Sequence, residues 1–221
     1  MTTLSNARLA ALLDRLFEEA EEAWPPRDPA IAQMSEEERE RLMRSKTDYL
    51  DFYGRLKDLP LAVSRETGTL LYMLARSSNA RTIVEFGTSL GLSTLFLAAA
   101  LRDNGGGRLI TTEFETEKVE RAQRHFFEAG LIDLVEIRPG DALETLSIDL
   151  PDTIDLILLD GAKALYCEVL GLLESRLRPG SLIVADDVDY CPDYLARVRS
   201  PANGYMSTQL PSGVELTMRL G

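Results

Sequence analysis

Apolar residues follow two rhythms along the 221-residue chain. Up to about residue 78 the rhythm is helical. Leu9, Leu12, Leu13, Leu16 and Phe17 recur at three- and four-residue steps, which puts them on one helix face, with Glu18, Glu19, Glu21 and Glu22 close by. Trp24-Pro25-Pro26-Arg27-Asp28-Pro29 ends that helix and starts a loop, because proline lacks the donor a helix interior needs. Ser35-Glu36-Glu37-Glu38 carries a capping-box pattern and predicts a helix start, with helix continuing to about residue 56. The acidic run 36–40 reads as the solvated start of that helix. A further helix over 66–76 has Leu70, Leu71 and Leu74 on one side.

Beyond residue 78 the rhythm changes. Short runs rich in Ile, Val and Leu alternate with helix-length segments: Thr82-Ile83-Val84-Glu85-Phe86, Leu109-Ile110-Thr111-Thr112, Leu134-Val135-Glu136-Ile137, Ile154-Asp155-Leu156-Ile157-Leu158-Leu159 and Leu182-Ile183-Val184-Ala185. They start 20 to 28 residues apart, room for a strand, a crossover helix and two loops each. Near-continuous apolar strands imply burial on both faces, hence a mostly parallel sheet. At the end, 204–209 and 214–220 flank Leu210-Pro211-Ser212-Gly213 and read as a hairpin. The expected fold is α/β, a Rossmann-like doubly wound sheet with antiparallel C-terminal edge strands. No linker interrupts the chain, so residues 1–221 form one domain, with 1–62 a helical cap and 63–221 the core that binds a cofactor.

Composition narrows the function. A net charge of −12 and a pI near 4.6 repel phosphate backbones, which argues against a large nucleic-acid footprint. Cys167 and Cys191 are too few for a disulfide framework and form no CxxC pair, so free thiols in a reducing cytoplasm are expected. The N-terminus lacks a basic region followed by an apolar core, and the apolar run 95–101 is far too short to cross a bilayer. A cytoplasmic protein without a membrane partner follows as the expectation.

In doubly wound sheets ligands lie outside the carboxyl ends of the strands, so the residues after each strand carry the chemistry. After the first comes Glu85-Phe86-Gly87-Thr88-Ser89-Leu90-Gly91-Leu92-Ser93. This is E-x-G-x-x-x-G and not the G-x-G-x-x-G of dinucleotide enzymes. Gly87 permits a sharp turn and close approach of a ligand, and the following helix N-terminus suits a carboxylate. After the second strand, Glu113 can accept hydrogen bonds from both ribose hydroxyls, which fits either a nicotinamide cofactor or S-adenosylmethionine. After the third, Asp141 in Gly140-Asp141-Ala142 either faces an adenine or caps the next helix. After the fourth and fifth come Asp160-Gly161-Ala162-Lys163 and Asp186-Asp187. Three carboxylates converging on one rim suit Mg²⁺, with water or substrate filling the open positions.

Together these stretches resemble the catechol O-methyltransferase-like family of class I methyltransferases, plant caffeoyl-CoA O-methyltransferases included, from about Val63 to the C-terminus. The 26-residue spacing from Asp160 to Asp186 and the stretch Asp193-Tyr194-Leu195-Ala196-Arg197-Val198-Arg199 add to the resemblance. It implies that Val63, Glu85, Gly87, Ser93, Glu113 and Ala142 surround S-adenosylmethionine, Ser93 reaching the methionine carboxylate and Glu113 the ribose. Asp160, Asp186 and Asp187 would hold a divalent cation, and Lys163 would be the general base. In that family the third metal ligand is usually Asn; Asp187 makes the shell one unit more negative, which holds the cation more tightly and weakens its pull on a phenol proton. The late Glu that positions a substrate hydroxyl in the catechol enzyme has no clear counterpart here.

The implied reaction is in-line methyl transfer to a small-molecule acceptor with neighbouring oxygens, of which a catechol is the natural case. The N-terminal helices and residues around 190–205 are expected to shape the acceptor pocket; Trp24 and Pro25 either line it or pack between helices, the commoner outcome for such residues. His125 reads as a surface or packing residue. A sugar or transfer-RNA nucleoside acceptor on the same fold, or a nicotinamide-dependent oxidoreductase, are the alternatives. Members of the family are often dimers, and the apolar positions of the first helix offer a homodimer interface.

Overall fold

The computed structural model describes every residue except Met1, Pro25, Arg27 and Asp28. Helix α1 (Ala7–Glu22) starts at Asn6, whose side chain accepts the Arg8 N–H. Its stripe of Leu9, Leu12, Leu13, Leu16 and Phe17 is buried against the chain's own sheet layer. Each such burial contributes about 1.5–3 kcal/mol, so the stripe is spent inside the molecule and is not the free dimer face the sequence suggested. Helices α2 (Pro29–Ala32), α3 (Glu36–Met43) and α4 (Tyr49–Arg55) follow. The single helix expected from residue 35 to 56 is thus two. Ser35 caps α3 through the Glu38 N–H, but at Ser45 the side chain takes the Asp48 N–H into a tight turn and the helix restarts. Ile31, Phe52 and Leu56 form a small core of their own.

Helix α5 (Arg65–Ser77), capped by Ser64, leads into the sheet. The chain then alternates β1 (Thr82–Phe86), α6 (Leu92–Asp103), β2 (Arg108–Glu113), α7 (Thr116–Ala129), β3 (Val135–Pro139), α8 (Ala142–Thr145), β4 (Ile154–Leu159), α9 (Tyr166–Leu173) and β5 (Leu177–Ala185). After α10 (Pro192–Arg199), β6 (Tyr205–Leu210) and β7 (Val214–Arg219) form the expected hairpin. The order is β3-β2-β1-β4-β5-β7-β6; β7 runs antiparallel to β5 and to β6, and the rest is parallel. β7 therefore slots between β5 and the edge strand. Alternate residues feed opposite layers. Ile83, Leu156 and Leu158 pack with α1, α5, α6 and α7, while Val84, Ile157 and Leu159 pack with α9 and α10. This two-sided burial is why the strands are apolar throughout. No helix among the described residues is long and apolar enough to cross a membrane.

Candidate active site

The sheet ladder continues past the strand ends and sets the floor of the site. Asp160 N–H donates to Phe86 C=O at 2.8 Å, and Asp186 N–H donates to Leu159 C=O at 3.0 Å. Gly87, Asp160 and Asp186 are thereby held side by side after β1, β4 and β5. Gly87 has φ +103°, and a Cβ there would come within 2.6 Å of the Asp160 carbonyl oxygen. Only glycine fits.

Two clefts meet on this floor. The first is lined by Gly87, Glu113, Gly140, Asp141, Ala142 and Asp160, with Tyr49 and Tyr53 of α4 across it. A narrow extension adds Val63, Ser89 and Ser93. Every residue that the resemblance assigns to the cofactor lines one of these spaces except Glu85. The Glu85 side chain lies beneath the floor, fully buried, and accepts from Ser93 Oγ at 2.6 Å and from Thr94 Oγ1 at 2.5 Å. Burial pushes its pKa up to about 7 although those hydroxyls and Thr111 pull it down. Ser93 thus spends its hydroxyl hydrogen on Glu85 while lining the narrow cleft. Glu113 accepts the N–H groups of Ser89 at 2.8 Å and Glu115 at 3.0 Å; burial raises its pKa against those bonds and against Lys118. Asp141 is the N-cap of α8 and also lines the first cleft. One oxygen accepts the Leu143 N–H at 2.9 Å as N-cap of α8, and the other accepts the Tyr49 hydroxyl hydrogen, while the residue lines the cleft.

The second cleft, about 300 Å³, has Asp160, Lys163, Asp186 and Asp187 at its floor and Met34, Arg39, Met43, Phe52 and Trp24 in its walls. Trp24 is 60% exposed yet joins this wall, while Pro25 lies outside the described residues. Residues 190–205 do not line this cleft; Tyr190 and Tyr194 border a separate depression beside Cys167, because α10 packs down onto α9. That expectation is corrected.

Carboxylate oxygens of Asp160, Asp186 and Asp187 lie within 4.8 Å of one another. Burial, reinforced by Asp160, pushes the Asp186 pKa up to about 7, against the pull of Lys163. Such crowding of anions is relieved by a bound cation, so the donor set fits a divalent metal. Asp187 has φ +53°, a left-handed conformation that Asp and Asn tolerate best among residues with a side chain, which explains an Asx residue here. Lys163 is 5% exposed; its Nζ lies 2.9 Å from Asp160 Oδ1, 3.3 Å from Asp187 Oδ2 and 3.0 Å from the Tyr166 hydroxyl. Burial alone would depress its pKa, but Tyr166, Asp160 and Asp187 outweigh burial and hold it well above the usual lysine range. Tyr166 in turn donates to the Asp186 carbonyl at 2.7 Å.

Sequence reasoning missed Tyr49, Tyr53, Arg39 and Lys118. Tyr53 is half-buried and lines both clefts, and among the described residues its hydroxyl has no hydrogen-bond partner. Lys118 Nζ reaches the Leu56 carbonyl at 3.4 Å. The signal was present: Tyr49, Phe52 and Tyr53 stand at i, i+3 and i+4 on one helix face. His125 makes a packing contact, Nδ1 to the Leu90 carbonyl at 2.8 Å. Cys167 and Cys191 are free, and Cys191 Sγ points at the Lys163 carbonyl.

Residues 84–188 match the model of a methyltransferase domain family. A catechol O-methyltransferase of Niastella koreensis is 38% identical over 58% of this chain and 58% of its own length. One of Mycobacterium tuberculosis is 34% identical over 59% of each. The chain therefore spans about three fifths of the length of these curated relatives. Among solved structures, the O-methyltransferase TomG from Streptomyces achromogenes, determined in complex with S-adenosylmethionine, is 28% identical with a TM-score of 0.65, covering 87% of this chain and 94% of that one.

Proposed function

We propose that this chain, a class I methyltransferase of the catechol O-methyltransferase-like kind, transfers a methyl group from S-adenosylmethionine to an oxygen of a small catechol-like acceptor, with a divalent metal and Lys163 as base. The observation that carries this reading is the meeting of two clefts over Asp160: one with the features of an adenosine site, the other with three aspartates and a buried lysine. The named relatives are O-methyltransferases, which does not favour the oxidoreductase or nucleic-acid alternatives.

In this reading Glu113 accepts the ribose hydroxyls, Asp141 and Ala142 border the adenine, and Val63, Gly87 and Ser93 border the methionine end. Glu85 acts from below, orienting Ser93. S-adenosylmethionine supplies a methyl that passes from sulfur to the acceptor oxygen while sulfur keeps the electron pair. A divalent cation, Mg²⁺ by the all-oxygen donor set, would sit among Asp160, Asp186 and Asp187 and lower the proton affinity of a phenol whose pKa is otherwise roughly 10. With such a cation in place the aspartates would hold Lys163 less tightly, and Lys163, its own proton given to solvent, would accept the phenolic proton at Nζ. The α4 residues Tyr49 and Tyr53 cover the junction and exclude water, as in-line displacement requires.

The test is calorimetric titration with S-adenosylhomocysteine, with and without Mg²⁺, then a methyl-transfer assay on catechol. Binding together with metal-dependent turnover is the expected result. Binding without turnover on any vicinal diol would overturn the acceptor class, and failure of the folded protein to bind would overturn the whole reading.

A further inference from the structure

The acceptor cleft is built with opposite charges at different places, and this bears on which diol it takes. Its floor holds Asp160, Asp186, Asp187 and Lys163. Its middle is apolar, with Met34, Met43 and Phe52. Apart from Lys163, Arg39 of α3 is the one cation among its described lining residues. Arg39 and Met43 stand four residues apart on one face of α3, and both line this cleft. Arg39 is half-buried there, and among the described residues its guanidinium has no hydrogen bond or ion pair. The three aspartates of the same cleft do not reach it either.

This isolation is unusual in the surroundings. Neighbouring arginines are all engaged: Arg41 with Asp48 at 3.9 Å, Arg44 with Glu40 at 2.6 Å and Arg55 with Asp51 at 2.6 Å. In a chain of net charge −12, carboxylates are plentiful, yet none among the described residues is set against Arg39. A guanidinium kept partly out of water with no partner is costly unless something else supplies the acceptor. Its planar fork matches a carboxylate through two parallel bonds.

We infer that Arg39 forms an anion-reading subsite, so that the preferred acceptor is an aromatic vicinal diol carrying a carboxylate away from the reacting oxygens. The inference rests on the reading above in taking the aspartate floor as the diol end. The ring would lie between Met34, Met43 and Phe52, the diol at the floor and the carboxylate at Arg39. The overall charge works the other way, since an acidic protein repels anions, so a preference for an anionic acceptor has to come from a local cation.

The experiment compares catechol, 3,4-dihydroxybenzoate, 3,4-dihydroxycinnamate and 3,4-dihydroxybenzylamine, with the wild type, Arg39→Gln and Arg39→Lys. The two acids place the carboxylate at two distances. For the better acid, kcat/KM is expected to exceed that of catechol by about 10- to 100-fold, mainly through KM, and the amine to be the poorest. Arg39→Gln should collapse the acid-to-catechol ratio, and Arg39→Lys should restore part of it. Titration of the same acids into Mg²⁺-loaded protein reads the subsite independently of turnover. An acid preference that survives Arg39→Gln in both readouts, or no acid preference in the wild type, would overturn the inference. Loss of turnover on all four compounds with Arg39-dependent binding of the acids retained would overturn the methyl-transfer reading and leave the subsite standing.

Discussion

Tyr49 of α4 donates its hydroxyl hydrogen to the carboxylate of Asp141, ninety-two residues away at the N-cap of α8. This bond fastens α4 across the first cleft, which both residues line. Burial and the Asp141 carboxylate together push the Tyr49 pKa up to about 12, so the phenol keeps its proton throughout the ordinary pH range. Tyr49→Phe removes the donor and leaves Asp141 one bond short. The expected loss is about 1 kcal/mol, the usual net worth of one hydrogen bond. Amide exchange over residues 49–56 should rise about fivefold while β1 and β4 keep their protection. Unaltered exchange in α4 would mean that packing of Phe52 and Leu56, not this bond, holds the helix down.

The architecture from residue 82 onward is legible in the sequence because its signals are local. Runs such as Ile154 to Leu159 must be buried on both faces, and Gly87 must follow a strand that abuts Asp160. The N-terminal part is harder to read. The break between α3 and α4 depends on Ser45 bonding the backbone of Asp48, a competition that side-chain periodicity does not register. That missed break hid the inward face of Tyr49, Phe52 and Tyr53. The metal-site candidates were legible as residue types after strands, but Lys163 locked between Asp160 and Asp187 is a tertiary fact. So is the burial of Glu85 beneath the site instead of in it.

Lys163 competes with any cation for Asp160 and Asp187, and this makes its removal informative in two directions. Lys163→Met keeps the length and apolar stem but deletes the charge. Turnover should fall by about 10²- to 10⁴-fold, the usual range for loss of a general base. Mg²⁺ affinity, read by titration, should rise, because the aspartates lose their internal counter-ion. Weakened metal binding in this variant would instead make Lys163 a structural strut of the site.

Asp187→Asn tests the extra negative charge. Both side chains accept the left-handed backbone at this position, where φ is +53°, so the fold should be preserved. The substitution removes one unit of charge from the carboxylate set and breaks the 3.3 Å contact to Lys163. Mg²⁺ affinity should drop by about tenfold, and the rising limb of the pH–rate profile should move to lower pH because the less neutralised cation polarises the acceptor more strongly. A profile and a metal dependence both identical to the wild type would remove Asp187 from the site.

Glu85 makes stability itself depend on pH. Its folded pKa of about 7 lies above the ordinary value of 4.5, because burial penalises the charged form more than Ser93, Thr111 and Thr94 relieve it. Below pH 4.5 both folded and unfolded chains carry the proton, and the group is neutral in the balance. Between pH 4.5 and 7 the unfolded chain releases the proton while the folded chain keeps it. The folded state then binds more protons, and stability falls as pH rises. The fall levels off above pH 7, once the folded carboxyl ionises as well. Its full extent is about 3–4 kcal/mol, at about 1.4 kcal/mol for each pH unit between 4.5 and 7. Glu85→Gln carries no proton to lose and can still accept from Ser93. Urea unfolding at several pH values should therefore show the variant gaining on the wild type steadily from pH 5 to 7, then holding a constant advantage. Asp186, whose pKa is also pushed up to about 7, adds a fall over the same window, so the measurement is made with saturating Mg²⁺ to keep that carboxylate ionised. A gap between variant and wild type that stays flat across this window would show that Glu85 is already ionised in the folded protein, held by its hydroxyl partners.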